Sequence, residues 1–335
     1  MRTYLLSLPL LALALAGCPE DKKPTGTAPT ATPPASASAA PATSASAAAA
    51  GSATAAADAG PKGPAAVFHT AGFQTPESVL YDVDGDRYIV SNINGAPTAV
   101  DNNGYISVLS PEGKVTTEKW IEGGKNKVTL NAPKGMVIVA GVLYVADLDT
   151  VRTFDAKTGA PKADIKLPGA TFANDIAVGL EGKIYVSDSG LKQDAKGEFG
   201  PTGTDAVWAI DNKGKATAFA KDASLGKPNG LILGPTGLWV CTFGTGELYR
   251  LDDKGKKQDA VKAPKGSLDG LVLVGDTVYV SSWDASAIYK GKAAGPFEVV
   301  IPNVKAPADI GLDTKRNRIL VPLFMDNAVE AYDLK

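Results

Sequence analysis

Six polar residues recur at the start of short apolar strands: Glu77, Lys134, Asp175, Asn229, Asp269 and Asp309, with Asn174 beside Asp175. Four are carboxylic acids, one is an amide and one an amine. Brought together in a partly desolvated space, four carboxylates repel one another unless protons or a cation compensate them. The donors are carboxylate and amide oxygens without histidine or thiolate. That set selects a hard divalent ion, Ca²⁺ first, then Mg²⁺ or Mn²⁺, with Zn²⁺ a poorer match. Lys134 is an internal counter-charge that competes with this reading. The plainer alternative also stands: Asn-Gly and Asp-Gly pairs form turns wherever they occur.

Composition removes other chemistries. The 335 residues are 44% hydrophobic and 21% charged, enough for a large core. Lys plus Arg number 34 against 36 Asp plus Glu, a net charge of -2. No basic surplus exists to displace counterions from a nucleic-acid backbone, so no nucleic-acid partner is expected. The single histidine, His69, excludes a histidine-based metal cluster or dyad, and two cysteines cannot build a disulfide framework. Cys241 lies in a strand-like segment with no nearby histidine to activate it, so a buried, inert thiol is expected.

What positions the six polar residues is a repeat. Each is followed by a second strand built on an aromatic or aliphatic residue and valine: Tyr88-Ile89-Val90-Ser91, Leu143-Tyr144-Val145-Ala146, Ile184-Tyr185-Val186-Ser187, Leu238-Trp239-Val240-Cys241, Val278-Tyr279-Val280-Ser281 and Ile319-Leu320-Val321-Pro322. A third strand follows in every unit. The units recur every 40 to 57 residues, with turn residues between strands and no sustained helical period. This predicts an all-β, six-bladed β-propeller over residues 66–335. In such a ring the innermost strands line a central channel, which gathers the six residues at one mouth.

Two further placements follow. The last unit ends after three strands, so residues 66–70 are expected to supply its outer strand and carry His69 to an edge far from the channel. Loops between second and third strands open on the same mouth, and those at residues 92–104 and 188–205 are long, Gly-rich and polar, as lids are. Asp147 and Asp188, which end second strands, read as turn caps.

The chain before the ring reads as an address and a tether. Met1-Arg2 and an apolar run to Ala16 form an export signal too short to span a bilayer. The run ends in Leu15-Ala16-Gly17-Cys18, similar to a bacterial lipobox, which makes residues 1–17 a lipoprotein signal peptide and Cys18 the lipidation site. Acyl chains there would anchor the protein to a membrane without spanning it. Residues 18–65 are dominated by Ala, Pro, Ser and Thr and are expected to be a disordered tether. The expected location is the bacterial cell envelope, and Pro19 after Cys18 favours the outer membrane. A monomer is expected.

On these residues the ring resembles the SMP-30/gluconolactonase/LRE-like family of six-bladed propellers, over roughly Phe73 to Lys335. The matching positions are Glu77 in Pro-Glu-Ser, Asn174 in Asn-Asp, Asn229 in Asn-Gly and Asp269 in Asp-Gly. The resemblance implies a metal held by Glu77, Asn229 and Asp269, with Asp269 as general base and Asn174 orienting substrate, in hydrolysis of a lactone or ester. The chain departs at Phe172, where sugar-lactone members carry arginine; that position suits a less polar ligand, or none. Val79 replaces the usual proline. The competing expectation is a noncatalytic NHL-like propeller that binds a protein, peptide or glycan across its mouth.

Overall fold

The computed structural model describes residues 63–334; the export signal, Cys18 and nearly all of the tether lie outside the described residues. Six four-stranded antiparallel sheets follow one another as blades. Their inner strands are Pro76–Asp82, Pro133–Val139, Ala173–Val178, Pro228–Gly234, Leu268–Val274 and Gly311–Asp313. Within the first five, strands pair in sequence order moving outward from the channel, except that in the third a separate hairpin, Leu191–Gln193 with Phe199–Pro201, is inserted between the second and third strands. The sixth is completed by Phe68–Ala71, which pairs with Ala328–Asp333, so the expected closure holds. His69 sits on that outer strand, bonded to Glu330 at 2.8 Å. Among the described residues only two short 3-10 turns interrupt the β-structure, and no helix is long and apolar enough to cross a membrane.

The cores lie between blades. Ile89, Ile106 and Ile121 of blade 1 pack on Met136, Leu143, Val145 and Phe154 of blade 2, and equivalent clusters recur around the ring. Every second strand presents alternate residues to its two neighbours, which is why these strands are buried on both faces and read as continuous apolar runs. Blades 6 and 1 close through Val79, Tyr88, Leu320 and Val329, with Phe68 packed against them. At the channel the two blades are also joined by a backbone hydrogen bond: Asp309 N–H donates to Glu77 C=O at 2.8 Å.

A β-bulge recurs where each inner strand begins. In blade 2 the ladder jumps from Pro133–Asp147 to Met136–Val145, so Lys134 and Gly135 oppose one residue, Ala146. The same jump occurs in blades 3, 4 and 5. A bulge bends the strand and re-aims a side chain. The N–H it frees is taken by a serine on the second strand: Ser78 N–H by Ser91, Asp175 N–H by Ser187 and Gly270 N–H by Ser281.

Candidate active site

The bulges sort the polar residues into two layers. The first residue of each pair, at Glu77, Lys134, Asn174, Asn229 and Asp269, lines one cavity of about 290 Å³. By register the sixth member of this layer is Ala308, since Gly311 pairs with Leu320 and Ile310 falls opposite Val321. Asp175 and Asp309 were expected at the mouth with the others. They instead lie one residue further along, and neither lines the cavity. Asp175 accepts from Leu231 N–H of the next blade at 2.7 Å and from Ile176 N–H at 2.6 Å. Asp309 accepts from Ser78 Oγ at 2.5 Å. Both acids tie neighbouring inner strands together.

The glycines of Lys134-Gly135, Asn229-Gly230 and Asp269-Gly270 occupy this second layer, inside strands rather than turns. A Cβ on Gly230 would meet Asp269 C=O at 2.5 Å and Cys241 Sγ at 2.9 Å. Glycine is needed there because adjacent inner strands approach closely, so the turn reading of these pairs does not hold.

Three oxygens at the cavity floor are buried without a hydrogen-bond partner: Glu77 Oε2, Asn229 Oδ1 and Asp269 Oδ1. Buried polar atoms are nearly always paired, so three together mark an uncompensated site. Burial first, then Asp269 and Asp309, push the Glu77 carboxyl well above its ordinary range. Asp269 is likewise pushed up by burial and by Asp309, partly offset by the facing Trp283 indole and Asn229 amide. Neither donor closes a bond of ordinary geometry, and Trp283 Nε1 is itself unpartnered. Lys134, 1% exposed, donates to Ala132 C=O at 2.9 Å and makes no ion pair with a carboxylate; burial lowers its pKa. Among the described residues no group of three or more His, Cys, Asp or Glu is placed to hold a metal. The Glu77–Asn229–Asp269 set has only two acids, its third oxygen being an amide.

Other placements agree with the sequence. Asn174 Nδ2 donates to Ser189 Oγ at 3.1 Å. Phe172 lines the cavity, its backbone N–H held by Asp188 at 2.9 Å, and Asp147 likewise caps Ala132 N–H at 2.8 Å. The two long loops lie on this face: Pro97, Leu191 and Phe199 line the cavity, and Thr98 Oγ1 donates to Gln193 Oε1 at 3.2 Å. Cys241 is fully buried, with its thiol donating to Asp269 C=O and pushed far up by burial.

The sequence reading missed the cavity's aromatic side: Phe243, Trp283 and Phe324. Each is the residue just after a second strand, in blades 4, 5 and 6. The equivalents in blades 1 and 3 are Ile93 and Ser189, also in the lining. That fixed position was the available signal.

No protein-family model matches the chain, and no curated protein matches it in sequence. Among solved structures it is similar to a gluconolactonase from Xanthomonas campestris (TM-score 0.62, 16% identity, covering 81% of this chain and 89% of that one). It is also similar to virginiamycin B lyase from Staphylococcus aureus, seen with quinupristin (TM-score 0.53, 15% identity, 80% and 99% covered). A chain of a nidogen/laminin complex matches at TM-score 0.51 and 16% identity over 65% of this chain and 76% of that one. At such identity the likeness is one of fold: a six-bladed propeller like those of gluconolactonase and virginiamycin B lyase.

Proposed function

We propose that this chain is a divalent-metal-dependent hydrolase of a lactone or ester, held at the bacterial envelope by lipid on Cys18. The observation that carries this reading is the set of three buried, unpartnered oxygens on Glu77, Asn229 and Asp269. Their chemistry fits a hard cation, Ca²⁺ foremost, because each is an oxygen donor and two belong to acids that burial holds back from ionising alone. Lys134 eases the Glu77 charge through space but makes no hydrogen bond to those oxygens, its direct contacts going to a carbonyl and an aromatic face. The gluconolactonase-like fold is consistent with the same chemistry.

A divalent ion held by Glu77, Asn229 and Asp269 would supply Lewis acidity, for a substrate carbonyl and for an attacking water. The chain's own residues do the rest. Glu77, Asn229 and Asp269 hold the ion. Asp269 takes a proton from water as it adds to the carbonyl carbon, and returns it to the oxygen released when the C–O bond breaks. Asn174, fixed by Ser189, orients the substrate. The apolar aromatic walls lower the polarity around the floor, which strengthens its electrostatic contacts.

Hydrolysis of a lactone panel with and without Ca²⁺, Mn²⁺ or Zn²⁺ tests this. Rates that require the ion and vanish in Asp269→Ala are expected; rates equal to that variant for every lactone contradict it. A noncatalytic propeller binding a protein, peptide or glycan is the second reading, favoured by the exposed rim residues Phe199 and Met325, 47% and 64% accessible. Capture of an envelope ligand that needs the two long loops but not Glu77 or Asp269 would favour it.

A further inference from the structure

The cavity divides into a polar floor and an apolar wall. Phe243 and Trp283 meet edge to face at 5.4 Å between ring centroids, and Trp283 and Phe324 at 5.0 Å, so one aromatic surface runs across three blades. On the other side Phe172 meets Phe199 of the inserted hairpin at 6.3 Å. Ile93, Pro97 and Leu191 complete the wall. Polar groups are confined to the base, and of its cationic and N–H donors Lys134 is already committed to Ala132 and the Phe172 face. The junction is Trp283: its ring belongs to the wall, while its N–H lies beside Asp269 without a partner.

We infer that the site takes a small, uncharged lactone or ester whose body is an apolar ring, with one acceptor oxygen for the Trp283 N–H, and that it discriminates against sugar lactones. This rests on the hydrolase reading and names its substrate class. A sugar lactone would press several hydroxyls against Phe243, Phe324 and Phe172, where each loses its water and gains no partner. A carboxylate-bearing ligand would have to bury its charge along the same aromatic wall, where no cationic side chain is free to receive it. A flat apolar ring fills the same space with favourable aromatic contacts. The cavity's 290 Å³ sits at the small end of ligand sites, which suits one or two fused rings.

The test separates binding from turnover by using lactams, which keep the ring and carbonyl of a lactone but are not hydrolysed. A benzo-fused six-membered lactam and the lactam of gluconic acid are titrated into the full chain in detergent with Ca²⁺, with binding read by calorimetry. The benzo-fused lactam should bind at least about tenfold more tightly. Phe243→Ala and Trp283→Phe should each weaken it by about fivefold or more, the second by removing the N–H together with part of the indole surface. Phe199→Ser, at an exposed position that folding tolerates, should weaken the benzo-fused lactam and narrow its advantage over the sugar lactam. Equal or tighter binding of the sugar lactam, or indifference to all three substitutions, overturns the inference. The two readings fail separately. Benzo-fused lactam binding without hydrolysis of any lactone supports this pocket assignment and removes the enzyme, whereas hydrolysis of sugar lactones with sugar-lactam preference does the reverse.

Discussion

The Lys134 ammonium lies 4.5 Å over the Phe172 ring while donating to Ala132 C=O. The two side chains form one unit. An ammonium over an aromatic face gains electrostatic stabilisation beside that from the nearby Glu77 and Asp147 carboxylates, with neither of which it makes an ion pair. It also gives a physical reason for the aromatic at 172, because an arginine there would set a second cation against the buried ammonium.

Phe172→Arg should therefore destabilise the fold by about 2 kcal/mol or more, and Lys134→Met should relieve much of that loss. Denaturant unfolding of both single variants and the double variant measures the coupling. Additive losses would show that the two positions are independent.

Much of this was legible in the sequence, and the errors have a common cause. Strand alternation and the recurring valine gave the blade count, and the three-stranded last unit located Phe68–Ala71 as its closing strand. Reading polar residues as one ring failed at Asp175 and Asp309, because each bulge places two residues opposite one and the acid is the second of the pair. Nothing in periodicity marks which of two adjacent residues a bulge turns inward. Glycine does mark it in blades 2, 4 and 5, where only the second residue can be the one without a side chain. Phe243, Trp283 and Phe324 fall just outside the strands, where strand alternation carries no signal, and only their shared position after a second strand marks them.

Gly230→Ala tests the close approach of inner strands. The added methyl would collide with Asp269 C=O and the Cys241 thiol, so a loss of about 2 kcal/mol and weaker ion binding are expected. Gly200→Ala, with nothing within 4 Å of its Cβ, should change neither. Thermal melts of the two variants with and without Ca²⁺ decide it; equal stability would refute the packing account.

The floor predicts a pH dependence. Burial raises Glu77, Asp175, Asp269 and Asp309, the last to about 7. A carboxyl raised on folding contributes stability that is complete below its unfolded value of about 4 and is lost as pH rises through the folded value. Chelator-treated protein should thus melt at a lower temperature near pH 8 than near pH 5, by an amount worth a few kcal/mol. Ca²⁺ should restore stability chiefly at the higher pH. Scanning calorimetry in chelator and in Ca²⁺ at both pH values checks this, and a chelated protein that is no less stable at the higher pH contradicts it.

Removing residues 63–71 should leave Ala328–Asp333 as an open edge, its outward hydrogen bonds unmade. Phe68 would also vacate its stack on Tyr88. Light scattering should then detect self-association absent from the full chain; a truncated protein that stays monomeric and melts unchanged would show that the closing strand is dispensable.

The most direct measurement is calorimetric titration of the chelator-treated full chain with Ca²⁺, Mg²⁺, Mn²⁺ and Zn²⁺ in turn, in parallel with Asp269→Asn. At least one ion should bind with a stoichiometry of about one and raise the melting temperature in proportion to its occupancy, with the effect lost in the variant. No heat and no melting shift with any of the four ions, or identical behaviour of the variant, would contradict a cation held between Glu77, Asn229 and Asp269.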